Sequence, residues 1–265
     1  MVEISPDGTR FRIRWVEETG STNTDVAQAA GRGEPEGLVV AADHQGAGRG
    51  RFGRTWTAPP GSSLLCSFLL RPPPDRVHLA VTAVGCAAAA ACGRLTSVEP
   101  GLKWPNDLVI DLASLEGSPG PGWRKLAGIL AEAVAEGDRV TGVVVGLGLN
   151  VAHWDLPPEL ADLAISLDQV APGPVDRKAL LGLICEELEV RYRTLLTEPA
   201  DLMAEYRRRC VTIGQDVRVE QPGETWEGRA EDVADDGSLE VMTGGEMRRV
   251  HAGDVIHLRP GGASL

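Results

Sequence analysis

The sequence predicts an α/β (α+β) protein: a larger domain with a mixed β-sheet flanked by helices, followed by a small β-barrel domain. Three observations predict this. Residues 38–42 and 63–70 are apolar runs of strand length, and 176–196 carry apolar side chains at helical spacing. Residues 215–258 change to short alternating strands separated by glycine turns, which is typical of a small antiparallel barrel. We therefore expect domains at 1–211 and 212–265.

Composition limits the classes of function. The chain has 265 residues, is 43% hydrophobic and carries a formal net charge of −12. An acidic balance argues against non-specific binding to nucleic acid or to an anionic membrane. The N-terminus has neither a basic segment nor an apolar one, so we expect no signal peptide and a cytoplasmic protein. The five cysteines lie in apolar contexts without a C-x-x-C pair, and the five histidines lack ligand spacing, so no protein-built metal site is expected.

The first elements are a strand over 11–16 and a helix over 26–30 that ends at Gly31. Ser21, Thr22 and Asn23 precede the helix. Two interpretations stay open for them. They either cap the helix, which is the commoner use of such residues, or present hydroxyl and amide groups to a polar ligand at the helix N-terminus.

A basic, glycine-rich loop follows the strand at 38–42. Residues 43–56 contain four glycines, including Gly48, Gly50 and Gly53, and the arginines Arg49, Arg51 and Arg54. Glycine permits close backbone approach, and arginine offers planar donor pairs to phosphate or carboxylate, so the loop predicts a mobile anion clamp rather than a solvated turn. The G-x-G-x-x-G spacing is not a dinucleotide fingerprint, because no helix can begin after it, and the motifs of a protein kinase are missing downstream.

Two further segments contain candidate functional residues, and a predicted strand and a predicted helix precede them. Residues 63–70 predict a strand and 75–95 one long helix, in which the apolar run 79–93 is too short to span a bilayer. Lys-Trp-Pro-Asn-Asp at 103–107 is a proline-fixed turn ahead of a strand, suited to chemistry or to a plain type I turn. Lys125 begins an apolar strand, either as a site residue or as a strand-end lysine that reaches water.

The remaining elements complete the predicted order. Residues 117–122 are rich in glycine and proline and predict a flexible hairpin tip between a strand before them and strands at 124–132 and 139–150. Glycines at 142, 146 and 148 suggest that another group packs close to the last of these strands. Helices are expected at 176–196 and 201–210, ahead of the small barrel.

Five motifs in this order carry a family resemblance. They are Gly-Ser-Thr-Asn at 20–23, Gly-Arg-Gly-Arg-Phe-Gly-Arg at 48–54, Lys-Trp-Pro-Asn-Asp at 103–107, Lys-Leu-Ala-Gly at 125–128 and Gly-Leu-Gly-Leu-Asn at 146–150. Together they resemble the biotin protein ligases, in the short form without an N-terminal DNA-binding domain, over nearly the whole chain. One departure is the segment between Asp107 and Lys125, which is longer than the family leads us to expect.

The resemblance implies a fold, a reaction and site residues. The fold is a mixed-sheet catalytic domain with an SH3-like C-terminal barrel. The reaction is ATP-dependent activation of biotin and its transfer to a lysine of a biotin carboxyl carrier protein domain, with Mg²⁺ entering with the nucleotide. No contact with nucleic acid or membrane is expected, and a weak homodimer is left open.

The implied catalytic residues are Arg51, Asp107 and Lys125, with Asp107 orienting or deprotonating the incoming amine. The implied biotin-binding residues are Ser21, Thr22, Asn23, Gln45, Arg49, Gly50, Arg51, Lys125 and Gly128. The implied ATP-binding residues are Arg51, Arg54, Trp56, Lys103, Asn106 and Asn150.

The chemistry fits these residues, because a carboxylate and a phosphate must be brought together among cations. Two rivals remain. A lipoate ligase or octanoyltransferase shares the expected fold, although the three-arginine loop and the 103–107 motif favour biotin. A non-catalytic nucleotide-binding regulator would bind the adenylate tightly without transferring it.

Overall fold

The structure is a computed structural model that describes residues 2–4, 6–96, 98–115, 122–154, 163–251 and 253–258. Within these ranges the chain folds into a mixed eight-stranded sheet with helices on both faces and an antiparallel five-stranded sheet at the C-terminal end. The predicted fold class is confirmed.

The large sheet has the strand order β1-β2-β3-β4-β8-β7-β6-β5. Its strands are β1 Val2–Ile4, β2 Arg12–Thr19, β3 Leu38–Gln45, β4 Ser63–Leu70, β5 Gly101–Lys103, β6 Asp107–Asp111, β7 Trp123–Glu136 and β8 Arg139–Asn150. Only β2 and β3 are parallel, because a helix connects them, and the other neighbours are antiparallel. This arrangement places the C-terminal ends of β3 and β8, together with residues 130–132 of β7, next to the start of the connecting helix.

The four helices of the described residues cover the two faces of this sheet. They are α1 Thr22–Gly31, α2 Ala80–Gly93, α3 Arg177–Thr197 and α4 Pro199–Arg209. Alternation along β3 assigns the faces: Leu38 and Val40 pack with α1, whereas Val39 and Ala41 belong to the larger core under α2 and α3. The five cysteines are all buried and free, in agreement with their apolar contexts in the sequence.

The predicted helix at 75–95 is wrong at its beginning. A 3-10 segment, Pro74–Leu79, precedes α2, because proline supplies no N–H and the chain turns tightly there. Together they form one helical stretch, Pro74–Gly93, that is long and apolar enough to cross a membrane by length and composition. This stretch is longer than the apolar run 79–93 that the sequence indicated. Of its most apolar window, 67% is buried inside the domain, as for a core helix.

The C-terminal sheet has the order β12-β11-β10-β9-β13. Its strands are β9 Asp216–Gln221, β10 Glu224–Val233, β11 Leu239–Thr243, β12 Glu246–Val250 and β13 Asp254–His257. The predicted boundary at residue 212 falls between α4 and β9. Trp104 joins this part to the large domain: its backbone N–H donates to Thr212 Oγ1 at 3.0 Å and its indole N–H to the Gly237 carbonyl at 2.9 Å.

Several predicted elements match the structure closely. The strands at 63–70 and 139–150 have the predicted bounds, since each is an uninterrupted apolar or glycine-spaced run. Pro105 follows a cis peptide bond and forms the turn between β5 and β6. The predicted hairpin tip at 117–122 lies, except for Gly122, outside the described residues.

Candidate active site

One cavity of about 780 Å³ lies where the end of the large sheet meets the glycine loop and the C-terminal domain. All of the site residues expected from the sequence line it. They are Ser21, Thr22, Asn23, Gln45, Arg49, Gly50, Arg51, Arg54, Trp56, Lys103, Asn106, Asp107, Lys125, Gly128 and Asn150. The fold thus brings together five motifs that are spread over 130 residues of sequence.

A buried hydrogen-bond network forms one end of the cavity. Ser21 precedes α1 at the N-cap position, but its side chain does not cap the helix, so capping alone does not account for these polar residues. The hydroxyl of Thr22 bonds to Ser67, which donates to Asn23 Oδ1 at 2.6 Å. The Thr22 backbone N–H donates to Gln45 Oε1 at 2.7 Å, and the amide N–H groups of Gln45, which have no acceptor among the described residues, can donate to a ligand.

Arg49 is held by a residue that the sequence analysis did not single out. Glu132 Oε2 accepts hydrogen bonds from Asn23 at 2.6 Å and from Arg49 at 2.9 Å. Arg49 is therefore ion-paired, and it is 48% exposed at the rim. Its expected place beside biotin is consistent with the cavity lining, but its charge is already matched by Glu132.

Glycines on two neighbouring strands let an aromatic ring lie against the sheet. A Cβ atom at Gly148 would come within 2.6 Å of the Trp56 indole, and one at Gly128 within 3.0 Å. At Gly146 it would meet Asn23 Oδ1 at 2.1 Å. The expected close packing on the glycine-spaced strand is confirmed, and Trp56 forms a flat apolar wall of the cavity.

The ion pair of Lys125 and Asp107 lies beside this wall. Lys125 Nζ is 2.8 Å from Asp107 Oδ1 and 5.6 Å from the centroid of the Trp56 ring. Antiparallel pairing of β6 with β7 brings Asp107 opposite Gly128, close to Lys125. Although the Lys125 side chain is 38% exposed, its ammonium ends on the Asp107 carboxylate inside the cavity, which favours the interpretation as a site residue.

The glycine loop contacts the C-terminal domain through two arginines. Arg51 donates to Asn106 Oδ1 at 3.3 Å and to the Gly253 carbonyl at 3.2 Å, and Arg54 forms an ion pair with Asp254. Burial lowers the pKa of Arg51. None of the expected site residues belongs to the C-terminal domain, yet five of its residues line the cavity: Glu220, Asp254, Val255, Ile256 and His257. No local sequence pattern marks these positions.

Two predicted ATP-binding amides brace the backbone around the cavity. The Asn106 side-chain amide donates to the Ile129 carbonyl at 2.7 Å, and the Asn106 backbone carbonyl accepts from the Ile129 N–H at 2.9 Å. Asn150 donates to the Ile165 carbonyl at 3.2 Å. Both residues line the cavity, and each already uses at least one amide N–H in these backbone contacts.

Lys103 and His257 form the wall between the two domains. Burial lowers the pKa of the half-buried Lys103 ammonium, against the attraction of Asp107. His257 is 2% exposed, and burial, together with the charge of Lys103, lowers its pKa to about 3. The imidazole is therefore neutral at neutral pH.

Comparison with known proteins gives consistent matches. Residues 15–150 match the biotin/lipoate A/B protein ligase family, and residues 212–258 match the C-terminal domain of biotin protein ligases. The chain is 38% identical to a biotin--[acetyl-CoA-carboxylase] ligase of Mycobacterium tuberculosis, over 92% of this chain and 88% of that protein. It is 33% identical to a bifunctional ligase/repressor of Bacillus subtilis, over 89% of this chain and 70% of that protein. Its fold is similar to that of an Aquifex aeolicus biotin protein ligase in complex with biotin and ATP, with a TM-score of 0.77, 22% identity and coverage of 92% and 97%.

Proposed function

The chain belongs to the biotin/lipoate A/B protein ligase family and is a biotin protein ligase, and we propose that it transfers biotin, activated by ATP, to a lysine of a biotin carboxyl carrier protein domain. The observation that carries this proposal is the continuity of one cavity. It runs from the uncharged network of Thr22, Asn23 and Gln45 to the ion pair of Lys125 and Asp107.

The uncharged end suits the ring system of biotin. A ureido group carries both N–H donors and a carbonyl acceptor. The network contains an amide and hydroxyl groups, which can donate as well as accept hydrogen bonds. The wall of Trp56 and the glycines of β8 suits the apolar ring and chain. The carboxylate of a ligand that extends along this wall would then reach Lys125.

The first step joins two anions. A carboxylate oxygen of biotin attacks the α-phosphorus of ATP, the new O–P bond forms, and the bond from that phosphorus to the bridging oxygen breaks as pyrophosphate leaves. In this proposal Lys125 holds the carboxylate and the α-phosphate together, and Arg51 stabilises charge on the phosphate oxygens; their positions in the same cavity support these roles. Both cations act by positioning and electrostatics.

The second step uses Asp107. The neutral amine of the carrier lysine attacks the acyl carbon, the C–O bond to phosphate breaks, and AMP leaves with the electron pair. In this proposal Asp107 accepts the proton that the amine loses; the position of its carboxylate in the cavity beside Lys125 supports this role. While it pairs with Lys125, Asp107 also orients that ammonium for the first step.

We further propose that Mg²⁺ enters with the nucleotide. Mg²⁺ in nucleotide sites is usually held by phosphate oxygens, water and one or two carboxylates. Glu220 and Asp254 are carboxylates of the cavity wall that could supply such a contact. The ion would neutralise charge on the phosphates.

Labelling of an acceptor domain tests the proposed function. The protein is incubated with ATP and a biotin carboxyl carrier domain, and with radiolabelled biotin, lipoate or octanoate in parallel. We expect ATP-dependent label from biotin on one carrier lysine. Label from lipoate or octanoate alone would identify the rival acyl ligase, and tight adenylate binding without transfer would identify a regulator.

A further inference from the structure

His257 is a buried polar residue to which the mechanism above gives no role. It is the last residue of β13, and its ring lines the cavity edge-on to Trp123, at 5.1 Å between ring centroids and an interplanar angle of 79°. Its Nδ1 has no hydrogen-bond partner within the part of the chain that the structure describes. A buried polar atom without a partner is costly, so this nitrogen points to a group that binds there.

The other ring nitrogen is engaged. Nε2 lies 3.0 Å from Thr212 Oγ1, and this hydroxyl oxygen already accepts a hydrogen bond from the backbone N–H of Trp104. The hydroxyl can therefore donate its own proton to Nε2. In a neutral imidazole that accepts at Nε2, the ring proton is on Nδ1, which makes the unpartnered nitrogen a donor.

Lys103 adds a positive charge to the same wall. It has no hydrogen bond and no ion pair among the described residues, although Asp107 and Asp254 act on it at longer range. An ammonium and an N–H donor on one wall suit an anionic oxygen and disfavour a cationic amine. The adenine base carries no charge, so a phosphate is the part of a nucleotide that this wall fits.

We propose that His257 Nδ1–H and the Lys103 ammonium bind an oxygen of the β- or γ-phosphate, so that the C-terminal domain holds the pyrophosphate that leaves in the first step. This inference rests on the proposed use of ATP. The α-phosphate is assigned to Lys125 and Arg51 in the large domain, which leaves the outer phosphates for the wall that the C-terminal domain completes.

Two substitutions separate the ring nitrogens. In His257→Asn the amide nitrogen stands near the position of Nδ1, whereas in His257→Gln the longer amide reaches the position of Nε2 and Thr212. In biotin-dependent pyrophosphate exchange, we expect His257→Gln to raise the KM for ATP by about 10- to 100-fold, the scale of a hydrogen bond to a charged group. His257→Asn should stay within about threefold, and the KM for biotin should not change in either variant.

Equal losses in both variants, or no loss in His257→Gln, would overturn the proposal. A merely structural role would lower the melting temperature and affect the KM values for ATP and biotin alike.

Nitrogen NMR of the parent protein gives an answer that does not depend on the folding of a variant. With ¹⁵N-labelled histidine, the Nδ1 signal of His257 should have the shift of a protonated ring nitrogen and should move when inorganic pyrophosphate is added. An unprotonated Nδ1, or a signal that pyrophosphate leaves in place, would contradict the inference. A pyrophosphate response without any biotin-dependent exchange would instead count against the proposed function and leave the phosphate contact standing.

Discussion

Lys125 is the cation on which the first step depends most. Its ammonium, 2.8 Å from Asp107, lies beside the Trp56 wall along which the ligand would extend. We expect Lys125→Ala to slow biotin-dependent adenylate formation by about 100- to 1,000-fold, the usual effect of removing one preorganised charge. Single-turnover formation of the adenylate measures this. Lys178→Ala, which removes an exposed lysine outside the cavity, is the control, and a near-normal rate in Lys125→Ala would reject the assignment.

Asp107 should matter most for transfer. Asp107→Asn keeps the shape of the side chain but cannot accept a proton from the carrier amine. We expect transfer from preformed adenylate to fall about 100-fold or more, with a smaller effect on adenylate formation through the lost pairing with Lys125. Asp111→Asn, at the exposed end of the same strand, should leave both steps unchanged. Equal losses in the two steps would make Asp107 a positioning residue.

Some residues of the site could be predicted from the sequence, and others could not. The identities and order of the motifs were enough to predict Lys125 and Asp107 as site residues. The partner of Arg49 was not predictable, because Glu132 lies 83 residues away and contacts it only through the fold. The same holds for His257, whose burial depends on the docking of one domain against the other.

The glycine loop acts as one element. In the structure Arg51 and Arg54 reach from it to Gly253 and Asp254 of the C-terminal domain, while Phe52 is 61% exposed. We expect Arg51→Gly to form the adenylate but to release it much faster, because the charge is lost and a more flexible loop excludes water less well. The measurements are the adenylate dissociation rate and labelling of an unrelated protein such as albumin.

Arg51→Lys is the matched control for the loop. It keeps the charge without the planar donor pair, and we expect it to retain the adenylate better than Arg51→Gly does. If Arg51→Gly holds its adenylate as long as the parent and labels the carrier alone, the loop is not a clamp.

The strand β8 is the second element with a testable role. The Trp56 ring packs against Gly148, and a Cβ atom at this position would lie 2.6 Å from the indole. We expect Gly148→Ala to displace Trp56, to lower the free energy of unfolding by about 1–3 kcal/mol and to weaken ligand binding. Gly182→Ala is the control, since that helical glycine has open space around it and alanine favours the helix. Unchanged biotin binding in Gly148→Ala would show that the Trp56 wall does not contribute to binding the ligand.

Elements were predicted best where one pattern decides them. Runs such as Ser63–Leu70 are buried on both faces, so apolar residues alone define their bounds. The stretch Pro74–Gly93 was harder, because its apolar pattern continues across the change from a 3-10 segment to an α-helix. Backbone hydrogen bonding, which composition does not reveal, makes that distinction.

At the scale of the whole molecule, the cavity is shared between two domains. The large sheet and α1 supply the uncharged end, the loop supplies arginines, and β13 closes the remaining wall with Asp254 and His257. Docking through Trp104, Thr212 and Gly237 makes this arrangement. The sequence predicted both domains, but not that the second one contributes to the site, because contacts between domains have no periodic signature.

Exchange of labelled pyrophosphate into ATP is the sharpest test of whether this single cavity joins biotin to ATP. The exchange reports the reversible first step and requires no carrier protein. We expect exchange that depends on biotin, that lipoate and octanoate do not support, and that Lys125→Ala reduces by about 100- to 1,000-fold. Exchange that proceeds without biotin, or that Lys125→Ala leaves at the parent rate, would show that the cavity does not join biotin to ATP in this way.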